Sequence, residues 1–296
     1  MYSVLVIADF LLAGIAFLWL GVATIQDIRK REVYNWLNFS LVIIALAVRA
    51  GAAVLSLSPG YILWGIAGFG IAFALANIFY YGRIFAGGDA KLLIAMGTVF
   101  ATNPLFLQTQ FFSGFEIPFF ATFVVNMLFA GSAYGICYSI ALAFRNWKEF
   151  NVRYIEMKKK HKKILVGCLA AAAAMAGIFF LTKERGFILS CIAFCAFPYF
   201  LMFVRAVERA GLIQTVPARK LTEGDWLFKE VRAGKARIKP SWEGLTKEDI
   251  TKIQRAGIKS VVVKAGIPFV PVFLIALIVS MSSAGNLLLY LTRLIQ

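Results

Sequence analysis

Asp27 and Asp89 are the residues through which this chain is best equipped to do chemistry. One ends a long apolar stretch and the other begins one, and acids beside lipid are costly enough to need a reason. Two carboxylates that share a site cannot both ionise, so one keeps its proton. The charged member takes a proton from water while the protonated member donates to a substrate carbonyl. That division hydrolyses a peptide bond with no metal, cofactor or covalent intermediate. The pair titrates as a unit, so neither Asp carries a fixed role. Singly, each has a plainer reading: a solvated helix end for Asp27, and the N-cap of a helix starting at Ala90 for Asp89.

Asp89 follows two glycines in "IFAGGDAKLL", Ile84 to Leu93. Gly87 and Gly88 remove side-chain bulk beside the acid and let an extended peptide backbone approach. The same pair reads equally well as a flexible link between spans. Lys91 snorkels to the headgroups; tuning the acids electrostatically is the weaker option. Asp9, at the other end of the first apolar stretch, is interfacial or paired with a cation such as Arg49. Arg49 itself reads as a residue that snorkels outward.

These residues need a membrane to position them. The 296 residues are 60% hydrophobic with a mean hydropathy of +0.78, beyond the range of soluble domains. A net charge of +16 on a soluble protein would point to nucleic acid; here it points to basic loops against anionic lipid, with no nucleic-acid partner. Eight candidate spans run Val4 to Gln26, Leu37 to Leu57, Tyr61 to Tyr81, Ala90 to about Leu107, Pro118 to Phe144, Ile164 to Leu181, Phe187 to Val204, and about Gly266 to Leu291. Asn103 and Pro104 interrupt the fourth. Loops on one side of these spans hold 27 of the 31 lysines and arginines. The other side keeps Lys183, Arg185 and Arg293. That bias makes the basic side cytoplasmic, with both termini outside. It puts Asp27 and Asp89 at one depth, on the cytoplasmic face. No basic region precedes the first apolar stretch, which reads as a retained helix.

The expected fold is an all-α polytopic membrane protein of about eight transmembrane helices, with a small cytoplasmic α/β insertion before the last. Residues 1–144 form the catalytic core of five helices, 145–163 a basic cytoplasmic loop, and 164–208 two further spans. Residues 209–265 form the soluble domain and 266–296 the final helix. In the soluble domain, Thr246 to Asp249 is a capping box with Asp in place of Glu, Gly257 a helix stop, and Ser260 to Lys264 a strand. Thr222 to Asp225 reads as a turn, and contact with basic leaders is the lesser option. His161 is solvated within the Lys158–Lys163 cluster. Cys137, Cys168, Cys191 and Cys195 form no C-x-x-C pair and read as buried thiols, so no metal site is expected.

The stretch "DIRKREVYNWLN", Asp27 to Asn38, followed by "GGDAKLL", Gly87 to Leu93, resembles the type IV prepilin peptidases and archaeal preflagellin peptidases, intramembrane aspartyl proteases of the GxGD class. The span pattern is similar over roughly the first half of the chain, and "LTEGDWL" with "VVVKAGIPFVPVFL" resembles a C-terminal extension of archaeal members. The signature places Gly where this chain has Ala86. The cysteine-rich zinc segment of bifunctional bacterial members is lacking, so no methyltransferase activity carries over. The Tyr-Asp pair and Pro-Ala-Leu motif of presenilin and signal peptide peptidase do not appear.

The resemblance implies a cell-membrane peptidase that uses Asp27 and Asp89 to cut the basic leader from a prepilin- or preflagellin-like precursor at the cytoplasmic face, with Gly87, Gly88 and Lys91 supporting the motif. A non-enzymatic assembly scaffold, docking through 209–265, is the first rival. A proton-coupled transporter is the second, disfavoured because the chain shows no internal repeat and its paired acids lie at one face.

Overall fold

In hydrocarbon a chain must bond its own backbone, so long apolar runs fold as helices. A computed structural model describes residues 2–107, 110–112, 115–182, 186–234 and 236–282. The described residues fall into two compact units, Met1–Gly135 with Ile267–Gln296, and Ile136–Gly266.

The first unit holds α1 (Tyr2–Lys30), α2 (Asn35–Leu55), α3 (Gly60–Tyr81), α4 (Gly87–Val99) and α10 (Val270–Met281). Between α4 and α5 (Phe119–Arg145), strands β1 (Gln110–Phe112) and β2 (Phe115–Ile117) pair antiparallel. Helix α4 is apolar nearly all round, and such a helix is stable only when enclosed. It packs against α1, α2 and α3, with Leu92, Leu93, Ala95, Met96 and Val99 fully buried. Small residues let it come close to α3: a Cβ on Gly97 would lie 2.2 Å from Ala72 Cβ, and one on Gly68 only 2.4 Å from Gly97 O. The outer faces carry exposed Ile7, Leu18, Trp64 and Ile78, the surface that lipid requires.

The second unit continues from α5 into α6 (Trp147–Lys160), α7 (Lys162–Thr182) and α8 (Gly186–Val207), which runs into a π-turn at Glu208–Leu212. A small sheet orders β3 (Ile213–Pro217), β7 (Ser260–Lys264) and β4 (Trp226–Leu227), all antiparallel. Strands β5 (Val231–Ala233) and β6 (Ala236–Ile238) make a separate hairpin. Leu227, Ile238, Leu245, Ile253, Val261 and Val263 form this region's own core under α9 (Lys247–Arg255). The capping box is present: Asp249 N donates to Thr246 Oγ1 at 3.2 Å, and Thr246 N to Asp249 Oδ2 at 3.3 Å. Gly257 stops the helix at φ +69°, a conformation that favours glycine.

The protein is a polytopic, mostly helical membrane protein with a small sheet region before its last helix. Six of the described segments are long and apolar enough to cross a membrane: α1, α2, α3, α5, Lys162–Phe179 and Ser190–Leu212. The expected fourth span is shorter than its sequence implied. At 13 residues, α4 is about 20 Å long against about 30 Å of hydrocarbon. It stops at Val99 because the guanidinium of Arg49 takes its last carbonyls, with Nε bonding Thr98 O at 3.1 Å and Nη2 bonding Val99 O at 2.8 Å. Arg49 is therefore fully buried and does not snorkel.

The expected loop 145–163 is mostly helix α6, which lays Phe150 and Met157 against α8. His161 is not simply solvated: Nδ1 faces Met157 O at 3.1 Å and Nε2 lies 3.3 Å from Arg205 Nη1. The cysteines are not buried; Cys137 is exposed and the other three half-exposed, on helices whose outer faces are apolar. Helix α10 starts at Val270, after Pro268. Lys183, Arg185, Arg293 and the last span beyond residue 282 lie outside the described residues.

Candidate active site

The chain turns sharply at the end of α1. Arg31 takes a left-handed conformation at φ +56°, and Val33 folds back under cover. Tyr34 N donates to Gln26 Oε1 at 3.4 Å, and α2 then starts at Asn35. This turn leaves Asp27 buried on the inner face of the last turn of α1, at 7% exposure. Its Oδ2 accepts the Val270 N–H at 2.8 Å, with the Phe269 amide beside it. Asp27 is thus not a solvated helix end. It serves the unpaired N–H groups that open α10.

Asp89 is the third residue of α4, half-buried, and not the residue before a helix at Ala90. Its Oδ2 accepts the Ala86 N–H at 3.3 Å, half of a capping box. Ala86 is exposed at φ −73°, where glycine has no advantage over alanine. Gly87 and Gly88 form the first turn of α4 and are not a link between spans. A Cβ on Gly87 would lie 3.8 Å from Tyr80 Cε2, and one on Gly88 3.8 Å from Val33 Cβ, both ordinary contacts. Nothing in the local packing therefore demands glycine at either position. Lys91, half-buried, donates from Nζ to Asn35 Oδ1 at 2.7 Å and ties α4 to the start of α2.

Asp27 and Asp89 lie within electrostatic reach of each other. The N-termini of α4 and α10 converge on them, and the positive ends of those helices offset part of the repulsion between two carboxylates. Aromatic packing holds α10 in place there. Phe85, in the link from α3 to α4, has its ring centroid 5.6 Å from that of Phe269 and 6.0 Å from that of Phe273. Among the described residues, no group of three or more His, Cys, Asp or Glu side chains is arranged to hold a metal.

A second polar cluster lies 18 residues back along α1, about 27 Å away. Asp9 accepts the Tyr61 hydroxyl at 2.5 Å and the Leu105 N–H at 2.9 Å. Arg49 stacks 4.6 Å from the Tyr61 ring centroid and donates to Tyr61 O and Thr102 Oγ1, each at 3.2 Å. Asp9 and Arg49 share this cluster through Tyr61, which contacts both. Every group is paired, so the cluster reads as a staple for the far end of α4. Of the other sequence candidates, Asp225 Oδ2 accepts the Thr222 N–H at 2.8 Å and Glu223 pairs with Lys247 at 3.6 Å, so that stretch is a turn tied to the start of α9.

Residues 14–140, which contain both acids, match the type IV leader peptidase family. Among the chain's similar relatives is a preflagellin peptidase of Methanococcus maripaludis, 23% identical over 168 residues, covering 52% of this chain and 73% of the relative. The prepilin peptidase EppA of Methanothermobacter thermautotrophicus is 23% identical over 184 residues, covering 60% of this chain and 48% of the relative. A preflagellin peptidase of Methanococcus voltae is 27% identical over 136 residues, covering 45% and 57%. The leader peptidase match takes in α1 from residue 14, α2 to α4, and most of α5. Helix α10, whose first amide holds Asp27, lies beyond it. That long-range partner has no local signal in the sequence.

Proposed function

We propose that this protein is an intramembrane aspartic endopeptidase that removes the basic leader from prepilin- or preflagellin-like precursors at the cytoplasmic face of the cell membrane. The observation that carries the reading is that the start of α10 bonds Asp27 through Val270 while its Phe269 packs on Phe85, four residues before Asp89. The names of the relatives supply the substrate class. The basic loops at that end support a cytoplasmic position and contact with anionic headgroups.

In this reading the ionised carboxylate accepts a proton from water as the oxygen attacks the scissile carbonyl carbon. The protonated carboxyl donates to the carbonyl oxygen, giving a neutral gem-diol. Collapse returns the carbonyl, breaks the C–N bond and delivers a proton to the leaving amine. The α4 and α10 N-termini favour the negative charge that the pair carries throughout. Gly87 and Gly88 keep the approach to Asp89 low, and Lys91 braces α4 against α2. At the bilayer edge water and a peptide bond can meet.

The test is purified protein in detergent with a panel of precursor peptides, each cut site read by mass. The expected result is one cut per precursor, between the basic leader and the apolar helix. Undiminished cutting by both Asp27→Asn and Asp89→Asn would remove the pair from the mechanism and leave the scaffold as the better account.

A further inference from the structure

A precursor must be extended where it is cut, so the first turn of its apolar helix has to open. The N–H and C=O groups released there need partners, because hydrocarbon offers none. We propose that the Asn38 side chain is one of those partners, a docking point for the backbone of the unwound precursor just inside the acid pair. This rests on the peptidase reading.

Asn38 is 1% exposed, and neither its amide nitrogen nor its oxygen has a hydrogen-bond partner among the described residues. Buried polar groups are nearly always paired, and leaving a carboxamide unpaired is costly, so one that persists unpaired asks for a use. Its place suggests which. Asn35, three residues earlier on α2, bonds Lys91 two positions after Asp89. Asn38 lies on the same side of α2, about 4.5 Å further along the axis. On the adjoining helix, the Thr24 hydroxyl is also buried without a partner, three residues before Asp27. Trp19 Nε1 donates to Ser40 Oγ at 3.1 Å, which fixes α1 and α2 side by side at this level. The two orphaned side chains thus lie about one turn inward of Asp27 on α1 and of Asn35, the partner of Lys91, on α2. The remaining orphan among the described residues, Thr122 Oγ1, is at the start of α5, where Phe119 N bonds Asn103 beyond the far end of α4. A carboxamide offers both donor and acceptor, and so can serve one peptide C=O and one N–H.

The test compares Asn38→Leu, nearly isosteric and apolar, with wild type. Three quantities are read: Tm in detergent, KM for a cleaved precursor, and affinity of that precursor for the non-cleaving Asp27→Asn/Asp89→Asn background. Loss of two hydrogen bonds predicts roughly tenfold weaker binding and a matching rise in KM. Tm should hold or rise, since an unpaired amide has been removed. Asn38→Ser should recover part of the affinity. Unchanged KM and affinity in Asn38→Leu, or a lower Tm with unchanged KM, would overturn the assignment while the dyad stands. If Asn38→Leu does not fold, Asn38→Ala decides by the same KM and affinity readings. A wild-type protein that cuts no precursor overturns both the peptidase reading and this one.

Discussion

The backbone N–H of Val270 donates to Asp27 Oδ2 at 2.8 Å, so the last described helix begins on a carboxylate of the candidate active site. Asp27 consequently has a structural duty beside its proposed chemical one, and the two separate by substitution. Asp27→Asn keeps an acceptor for Val270 and should leave folding near wild type while lowering cleavage at least about a thousandfold. Asp27→Ala also strands the amide and should cost about 1–3 kcal/mol more. Cleavage read by mass, beside Tm in detergent, checks both arms. An Asp27→Asn protein that cuts normally contradicts the first.

Glycines along α4 divide into two kinds. Gly97→Ala would set its methyl 2.2 Å from Ala72 Cβ and should destabilise by about 1–3 kcal/mol. Gly87→Ala and Gly88→Ala meet only 3.8 Å contacts and should fold as well as wild type, with a small gain from better helix propensity. If those glycines serve an approaching peptide, kcat/KM falls at least about tenfold in either variant while Tm holds. Wild-type kinetics in both would show that they serve neither packing nor substrate.

Arg49 closes the far end of α4 with four described hydrogen bonds, to Thr98, Val99, Tyr61 and Thr102. Arg49→Met removes these four hydrogen bonds and the cation from a buried polar cluster, a change worth about 3–5 kcal/mol. Hydrogen exchange should rise first at residues 99–105. Exchange unchanged there would mean that the staple is dispensable.

In the second unit, Thr246→Ala should cost about 1 kcal/mol by removing the acceptor for Asp249 N. Gly257→Ala at φ +69° should cost roughly 1–2 kcal/mol. Faster exchange across Lys247–Arg255 in the full-length protein, with precursor cleavage unchanged, is the expected signature of both. Protection equal to wild type would count against the cap.

Helix positions for α1, α2, α3, α5, α7 and α8 were legible because membrane helices write their length into hydropathy, residue by residue. The capping box at Thr246, the stop at Gly257 and strand Ser260–Lys264 were legible for the same local reason: cap, turn and strand chemistry operate within a few positions. The two acids stood out as charges beside apolar runs. What they touch did not. That Asp27 meets Val270, that Arg49 ends α4 at Val99, and that Asn38 is buried beside polar neighbours all depend on contacts 40 or more positions apart, or on which side of a helix faces inward. Hydropathy carries no record of such pairings, because lipid rewards any apolar exterior equally. Close packing of α4 against α1, α2 and α3 then selects which polar groups meet.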